Sequence, residues 1–329
     1  MKYGIYYIMI PSISAKNNQN LTKIHAFTRV VTSFFITTEK TILTPLDDVL
    51  CYDIMVFVYT GSTGPIQIRE KGNTADKMKR VSAACGCNKG NIRTNNEDNF
   101  YFNGKYLSAE NGGLSHTLLF RGETKEAICF AVFDGMGGER YGELAAHVVA
   151  SRLQALLTAS ENERDIPSRL KGLVLALNDQ VLDQAKKELT RHMGATLVGL
   201  YFANDEAYAF NLGDSRAYLS RDKKLTQLSV DHVDRRVLFT RRAKHSLTQY
   251  LGIDEDEFLV EPSIIQCELT AGDRFLLCSD GLTDMLTDDE IGSLLRSADS
   301  PKYAVEALIA AALDRGGRDN ITILICEIQ

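Results

Sequence analysis

The fold turns on GATLVGLYFANDEAYAFNLGDSRAYLSR, residues 194–221. Three apolar segments, 194–203, 206–214 and 215–221, follow one another with only Asn204-Asp205 and Gly213-Asp214 as interruptions. Such residues make tight turns, and strands joined by tight turns lie antiparallel. AICFAVF (127–133) and RFLLCSD (274–280) read as buried strands, and ITILICEI closes the chain with Ile321, Ile323 and Ile325 on one face. Helical spacing marks 139–157, through Leu144, Val148, Leu153 and Leu156, and then SRLKGLVLALNDQVLDQAKKEL. Thr287 and Glu290 fit a capping box, while Ser300-Pro301 starts a last helix that Gly316-Gly317 stops. Helices therefore lie near 139–190 and 287–315, with strands between them. This is an α+β order with mainly antiparallel sheet, not a doubly wound one.

Residues 1–77 are irregular. IMVFVY (54–59) suggests a strand, but GSTGPIQ and EKGNTADK break the pattern, and no catalytic constellation stands there. The expected division is an N-terminal extension over 1–77 and a catalytic domain over 78–329. Met78 fits a start position, which would make the extension a mis-called one.

Composition narrows the class. The chain has 329 residues, 44% hydrophobic and 24% charged, with net charge −6, which suits a large globular core. RRVLFTRR (235–242) is too short a basic patch to carry nucleic-acid binding. Seven scattered cysteines without paired CxxC motifs suit free thiols in a reducing cytoplasm. MKYGIYYIMIPSISA only faintly imitates a signal peptide, and no apolar run approaches the roughly 18 residues of a membrane span. A cytoplasmic monomer with no nucleic-acid or membrane partner is expected.

Acids recur where strands end. FAVFDGMGGERYGELAA places Asp134 after an apolar run and before glycine, and FLLCSDGLTD does the same for Asp280, with Asp284 four residues on. FNLGDSR carries Asp214, GGRDNIT carries Asp319, and the polar loop RTNNEDN carries Glu97 and Asp98. Taken singly, each is at least as well read as a turn or surface residue. Together, many carboxylates with scarcely a cysteine or histidine beside them match the oxygen ligands of Mg²⁺ or Mn²⁺. Glycine beside Asp134 lets the backbone approach closely enough for a carbonyl to join the set. Two such ions share a hydroxide in line with phosphorus, and an arginine such as Arg93 binds phosphate oxygens in pairs. The outline is a phosphoester hydrolase.

RTNNED, VFDGMGG followed by GE, MGATLVG, NLGDSRAYL, SVDH, LTQYLGI, LLCSDGLTD and GGRDNITI run in the order of one family. From Met78 to the C-terminus the chain resembles the bacterial branch of the metal-dependent serine/threonine protein phosphatases, the 2C or PPM family. The resemblance implies a four-layer α-β-β-α sandwich of two packed antiparallel sheets. It implies hydrolysis of phosphoserine and phosphothreonine in proteins by a hydroxide bridging two divalent metals, Mn²⁺ or Mg²⁺, and an opposing Ser/Thr kinase. Asp134 would bridge both metals and Gly135 would offer its carbonyl. Asp280 and Asp319 would complete the first site, and Glu97 would bind near the second. Asp98 would orient metal-held water, and Arg93 would grip the substrate phosphate. Asp214 and Asp284 resemble the acids that hold a third, looser metal together with Asp280.

Two departures qualify this. Met136 stands where animal members carry a histidine proposed as general acid, so leaving-group protonation would fall to metal-held water or another acid. The stretch between Asp231-His232 and LTQYLG is shorter than the family's usual flap, which bears on substrate preference. Two rival readings also exist. Cys87 to Thr94 spells the C-x5-R-[ST] loop of cysteine-dependent phosphatases, yet TNNEDNFYF leads into a strand rather than the helix that chemistry requires. A binding module without catalysis would have lost a metal ligand, and every position keeps its acid. His147 and His192 read as core or surface residues, and His232 as a brace beside Asp231.

Overall fold

The computed structural model describes residues 6–11, 52–57, 79–137, 141–160, 165–234, 246–254 and 259–329. They belong to two compact units, Met1–Asp76 and Lys77–Gln329. In the first, β1 (Tyr6–Pro11) pairs antiparallel with β2 (Tyr52–Phe57). The strand expected at 54–59 thus begins two residues earlier, and its last two residues lie outside the described ones, as does the basic patch 235–242.

The second unit begins with β3 (Arg80–Asn88), β4 (Asp98–Phe102), β5 (Leu118–Glu123) and β6 (Ile128–Met136). Helices α1 (Tyr141–Ala159) and α2 (Ile166–Lys187) follow. Next come β7 (Gly194–Ala195), β8 (Leu197–Ala203), β9 (Glu206–Leu212), β10 (Arg216–Arg221), β11 (Lys224–Gln227), β12 (Ser263–Glu268) and β13 (Arg274–Cys278). The chain ends with α3 (Asp280–Thr283), α4 (Asp288–Ser297), α5 (Pro301–Asp314) and β14 (Ile321–Ile328). One sheet runs β11-β10-β13-β14-β3-β5 and the other β12-β9-β8-β6-β4, with β7 beside β6 and every pairing antiparallel.

Alternation within single strands builds three cores. In β6, Ile128, Phe130 and Val132 point between the sheets, while Cys129, Ala131 and Phe133 meet α1 and α2. In β14, Leu324, Cys326 and Ile328 face the other sheet, and Ile321, Ile323 and Ile325 meet α4 and α5. Strands buried on both faces read as continuous apolar runs, which is why they stand out in the sequence. The result is the expected α-β-β-α sandwich. Thr287 caps α4 through the Glu290 N–H, and the Glu290 side chain returns to the Thr287 N–H at 2.9 Å.

Candidate active site

The strand ends meet at one cleft of about 1220 Å³. Glu97, Asp134, Gly135, Asp214, Asp280, Asp284 and Asp319 all line it, and so does Arg93. Asp98 does not. It is 1% exposed beneath the floor, directly across from Asp134 in the β4–β6 pairing.

Each acid is placed by its element. Asp134 follows the apolar core of β6, and its N–H donates to Thr196 Oγ1 at 3.1 Å while its carbonyl accepts from the Thr196 N–H at 2.8 Å. Gly135 is required by a close approach: a Cβ there would stand 2.0 Å from the Gly142 carbonyl oxygen and 2.7 Å from that of Glu97. Asp280 opens α3 immediately after β13, and Asp319 precedes β14. Asp214 sits in the β9–β10 turn. His232 braces that turn, rather than one beside Asp231, with its backbone N–H on the Gly213 carbonyl and its Nδ1 accepting from the Gly213 N–H, each at 3.0 Å.

Electrostatics follow from crowding. Burial, then the charges of Asp280, Asp98, Asp214 and Asp319, raise the Asp134 carboxyl well above the usual range. Burial also raises Asp98, against the stabilising hydrogen bond that Ser279 Oγ donates to its Oδ2 at 2.7 Å. Arg93 Nη2 reaches Asp319 Oδ2 at 2.6 Å, and that bond raises the guanidinium pKa further. Among the described residues, no three acid, histidine or cysteine side chains close around a single ion position. The Arg93 guanidinium pairs with the Asp319 carboxylate at the cleft edge. The donors share a cleft without forming a finished cage.

The donor set still fits hard divalent cations. Among the described residues the lining carries seven carboxylates, Asp231 among them, and neither histidine nor cysteine. The cysteine alternative fails on geometry. Cys87 is 2% exposed in the body of the sheet, opposite Thr322, and its Sγ accepts from Asn96 Nδ2 and Thr322 Oγ1, each at 3.2 Å. Burial, with Asp98 nearby, pushes its thiol up to about 12, so no thiolate forms.

Sequence reading missed several residues here. Thr196 cradles Asp134. Arg216 holds Asp231 through Nε to Oδ1 at 3.0 Å and Nη2 to Oδ2 at 2.6 Å at the cleft wall. Asn320 fastens the Glu97 loop. Their signal was present only as unremarked letters inside MGATLVG, GDSR and RDNI.

A two-sheet sandwich with carboxylates gathered at one end defines a class of hydrolase cleft, and comparison with known proteins gives its family. The chain belongs to the protein phosphatase 2C family, which matches residues 116–312. The serine/threonine protein phosphatase PstP of Mycobacterium tuberculosis is 33% identical over 255 residues, covering 74% of this chain. The match spans 44% of that protein, less than half its length. The serine/threonine phosphatase stp of Listeria welshimeri is 32% identical over 258 residues, covering 73% of this chain and 92% of the relative. The crystal structure of the PstP catalytic domain in complex with two manganese ions aligns with a TM-score of 0.61 at 31% identity, covering 76% of this chain and 99% of that one.

Proposed function

We propose that this chain is a metal-dependent phosphatase that hydrolyses phosphoserine and phosphothreonine in proteins. The observation that carries the proposal is the convergence of the six candidate ligand carboxylates, Glu97, Asp134, Asp214, Asp280, Asp284 and Asp319, with Arg93 in one cleft. The similarity to serine/threonine phosphatases supports the substrate class. When bound, two divalent cations, Mn²⁺ or Mg²⁺, supply a hydroxide nucleophile and offset the charge on the phosphoryl oxygens. Asp134 would bridge them, Gly135 would add its carbonyl, Asp280 and Asp319 would serve one and Glu97 the other. Asp214 and Asp284, with Asp280, would hold a looser third.

The chain's own groups do the rest. Arg93, with donors in a fixed fork, binds the non-bridging phosphate oxygens. Asp98, held by Ser279 beneath the cleft floor and opposite Asp134, would help orient the attacking water from behind that strand end. Met136 offers no proton to the leaving alkoxide, so that proton comes from water in the cleft. Phosphorylated proteins are the proposed partners, an opposing Ser/Thr kinase the implied counterpart, and a cytoplasmic monomer the proposed form. Among the described residues no helix is long and apolar enough to cross a membrane.

The direct test is turnover of a small aryl phosphate and of phosphoserine and phosphothreonine peptides with Mn²⁺, repeated after EDTA. Activity that appears with Mn²⁺ and vanishes with EDTA is expected. Turnover indifferent to EDTA would overturn the proposal.

A further inference from the structure

Asn320 follows Asp319 and is 3% exposed. Its Oδ1 accepts from the Glu97 N–H at 2.8 Å. Its Nδ2 donates to the Lys89 carbonyl at 2.8 Å and to the Asn95 carbonyl at 3.0 Å. Its own N–H donates to Asp319 Oδ1 at 2.9 Å. Its carbonyl oxygen would lie 1.9 Å from any Cβ at position 281, so the turn beside Asp280 packs directly on it.

These contacts join three segments that arrive from distant parts of the chain. The loop from Lys89 to Glu97 is neither helix nor strand, so its shape depends on what it is tied to. On its outer side Asn91 is tied, through its N–H to the Gly317 carbonyl at 2.8 Å. On its inner side, next to the cleft, Asn320 grips it at both ends, on either flank of Arg93. One amide therefore ties the loop of Arg93 and Glu97 to the turn of Asp319 and Asp280, beside the Arg93–Asp319 ion pair and the Gly135 N–H on the Glu97 carbonyl.

We propose that Asn320 is a positioning residue that holds the loop of Arg93 and Glu97 in register with the strand ends of Asp280 and Asp319. It uses both amide N–H donors and its oxygen as acceptor, three of its four capacities, which fixes which way the amide faces. Removing it would leave the Glu97 N–H and two carbonyls without this partner and let the loop settle elsewhere. A displacement of about 1 Å in such a group is enough to weaken binding and catalysis together.

The inference rests on the phosphatase reading for its kinetic half, and Mn²⁺ binding alone tests the other half. A chemically matched control exists. Asn178 is fully buried, accepts from the Gly252 and Ile253 N–H groups at 2.7 and 3.0 Å, donates to the Ile253 carbonyl at 2.9 Å, and touches none of these acids.

The experiment is calorimetric titration of Mn²⁺ into the full chain, Asn320→Ala, Asn320→Ser and Asn178→Ala, with Tm, KM and kcat for an aryl phosphate alongside. Asn320→Ala is expected to weaken Mn²⁺ binding by about tenfold or more and to raise KM more than it lowers kcat. Asn320→Ser, whose hydroxyl still accepts from the Glu97 N–H, should fall between it and wild type. Asn178→Ala should lower Tm yet leave Mn²⁺ affinity within about twofold. A folded Asn320→Ala protein with wild-type Mn²⁺ affinity would overturn the inference. So would an equal loss in Asn178→Ala, or failure of both Asn320 variants to fold in Mn²⁺, which assigns a purely structural role. A wild-type chain that binds Mn²⁺ yet turns over no phosphoester would overturn the phosphatase reading and leave the positioning result standing.

Discussion

Asp134 and Cys87 separate the two chemistries at the scale of single residues. Asp134 stands at the crowded floor, where one carboxylate serves two cations in the proposed reaction. Asp134→Asn keeps the shape and removes the charge, so the variant should fold while its Mn²⁺-dependent turnover falls below about a tenth of wild type. Turnover above that level would take Asp134 out of the bridging role. Cys87→Ser should keep turnover within several-fold of wild type, because the buried thiol only accepts hydrogen bonds from Asn96 and Thr322. An inactive but folded serine variant would restore the thiolate mechanism. Asp134 and Asp280 were legible because each ends an apolar run and precedes glycine. Asn320 was not, because an amide in RDNI looks like any turn residue, and its three partners lie more than 220 positions away.

Elements bring these residues together by close approach, and glycines mark where. A Cβ on Gly281 would meet the Asn320 carbonyl oxygen at 1.9 Å, and no rotamer relieves a contact between two stretches of backbone. Gly281→Ala should therefore force α3 away from β14, lowering Tm on the order of 10 °C, which corresponds to about 3 kcal/mol for a domain of this size. Gly172→Ala is the control. It lies inside α2 with open space around it, so alanine should stabilise the helix by about 0.5–1 kcal/mol. Equal Tm values for the two variants would refute the packing argument. The inner strands were plain in the sequence because both faces are buried. The edge strands β5 and β12 were not, because exposed positions such as Leu119, 58% exposed, and Gln266 disrupt any clean period. The boundaries of α1 and α2 shifted by about two residues from expectation, an ordinary consequence of fraying helix ends.

At the scale of the whole molecule, the compact unit Lys77–Gln329 opens with the strand that pairs with its last one. The Arg80 N–H donates to the Gln329 carbonyl at 3.0 Å, the Gln329 N–H returns to Arg80 at 2.8 Å, and β3 pairs with β14 along its length. We propose that residues 78–329 are self-sufficient, so a protein starting at Met78 should be soluble and as active as the full chain. An insoluble product would show that earlier residues complete its core. The acids of that unit also make its stability depend on pH and cations together. Asp98 and Asp134 have raised folded-state pKa values, with burial as the largest cause. The folded protein therefore keeps protons that the unfolded chain has released. Their stabilising contribution is complete below a pH of about 4 and is lost as pH rises through the folded values. Cations favour the ionised carboxylates and compete with protons for the same oxygens. The Tm increment from added Mn²⁺, measured against EDTA, should thus be larger near pH 8 than near about pH 5.5. Asp134→Asn should shrink that increment at the higher pH, because the variant loses both the titrating group and the proposed bridge. An increment that is the same at both values would place Mn²⁺ binding away from these carboxylates.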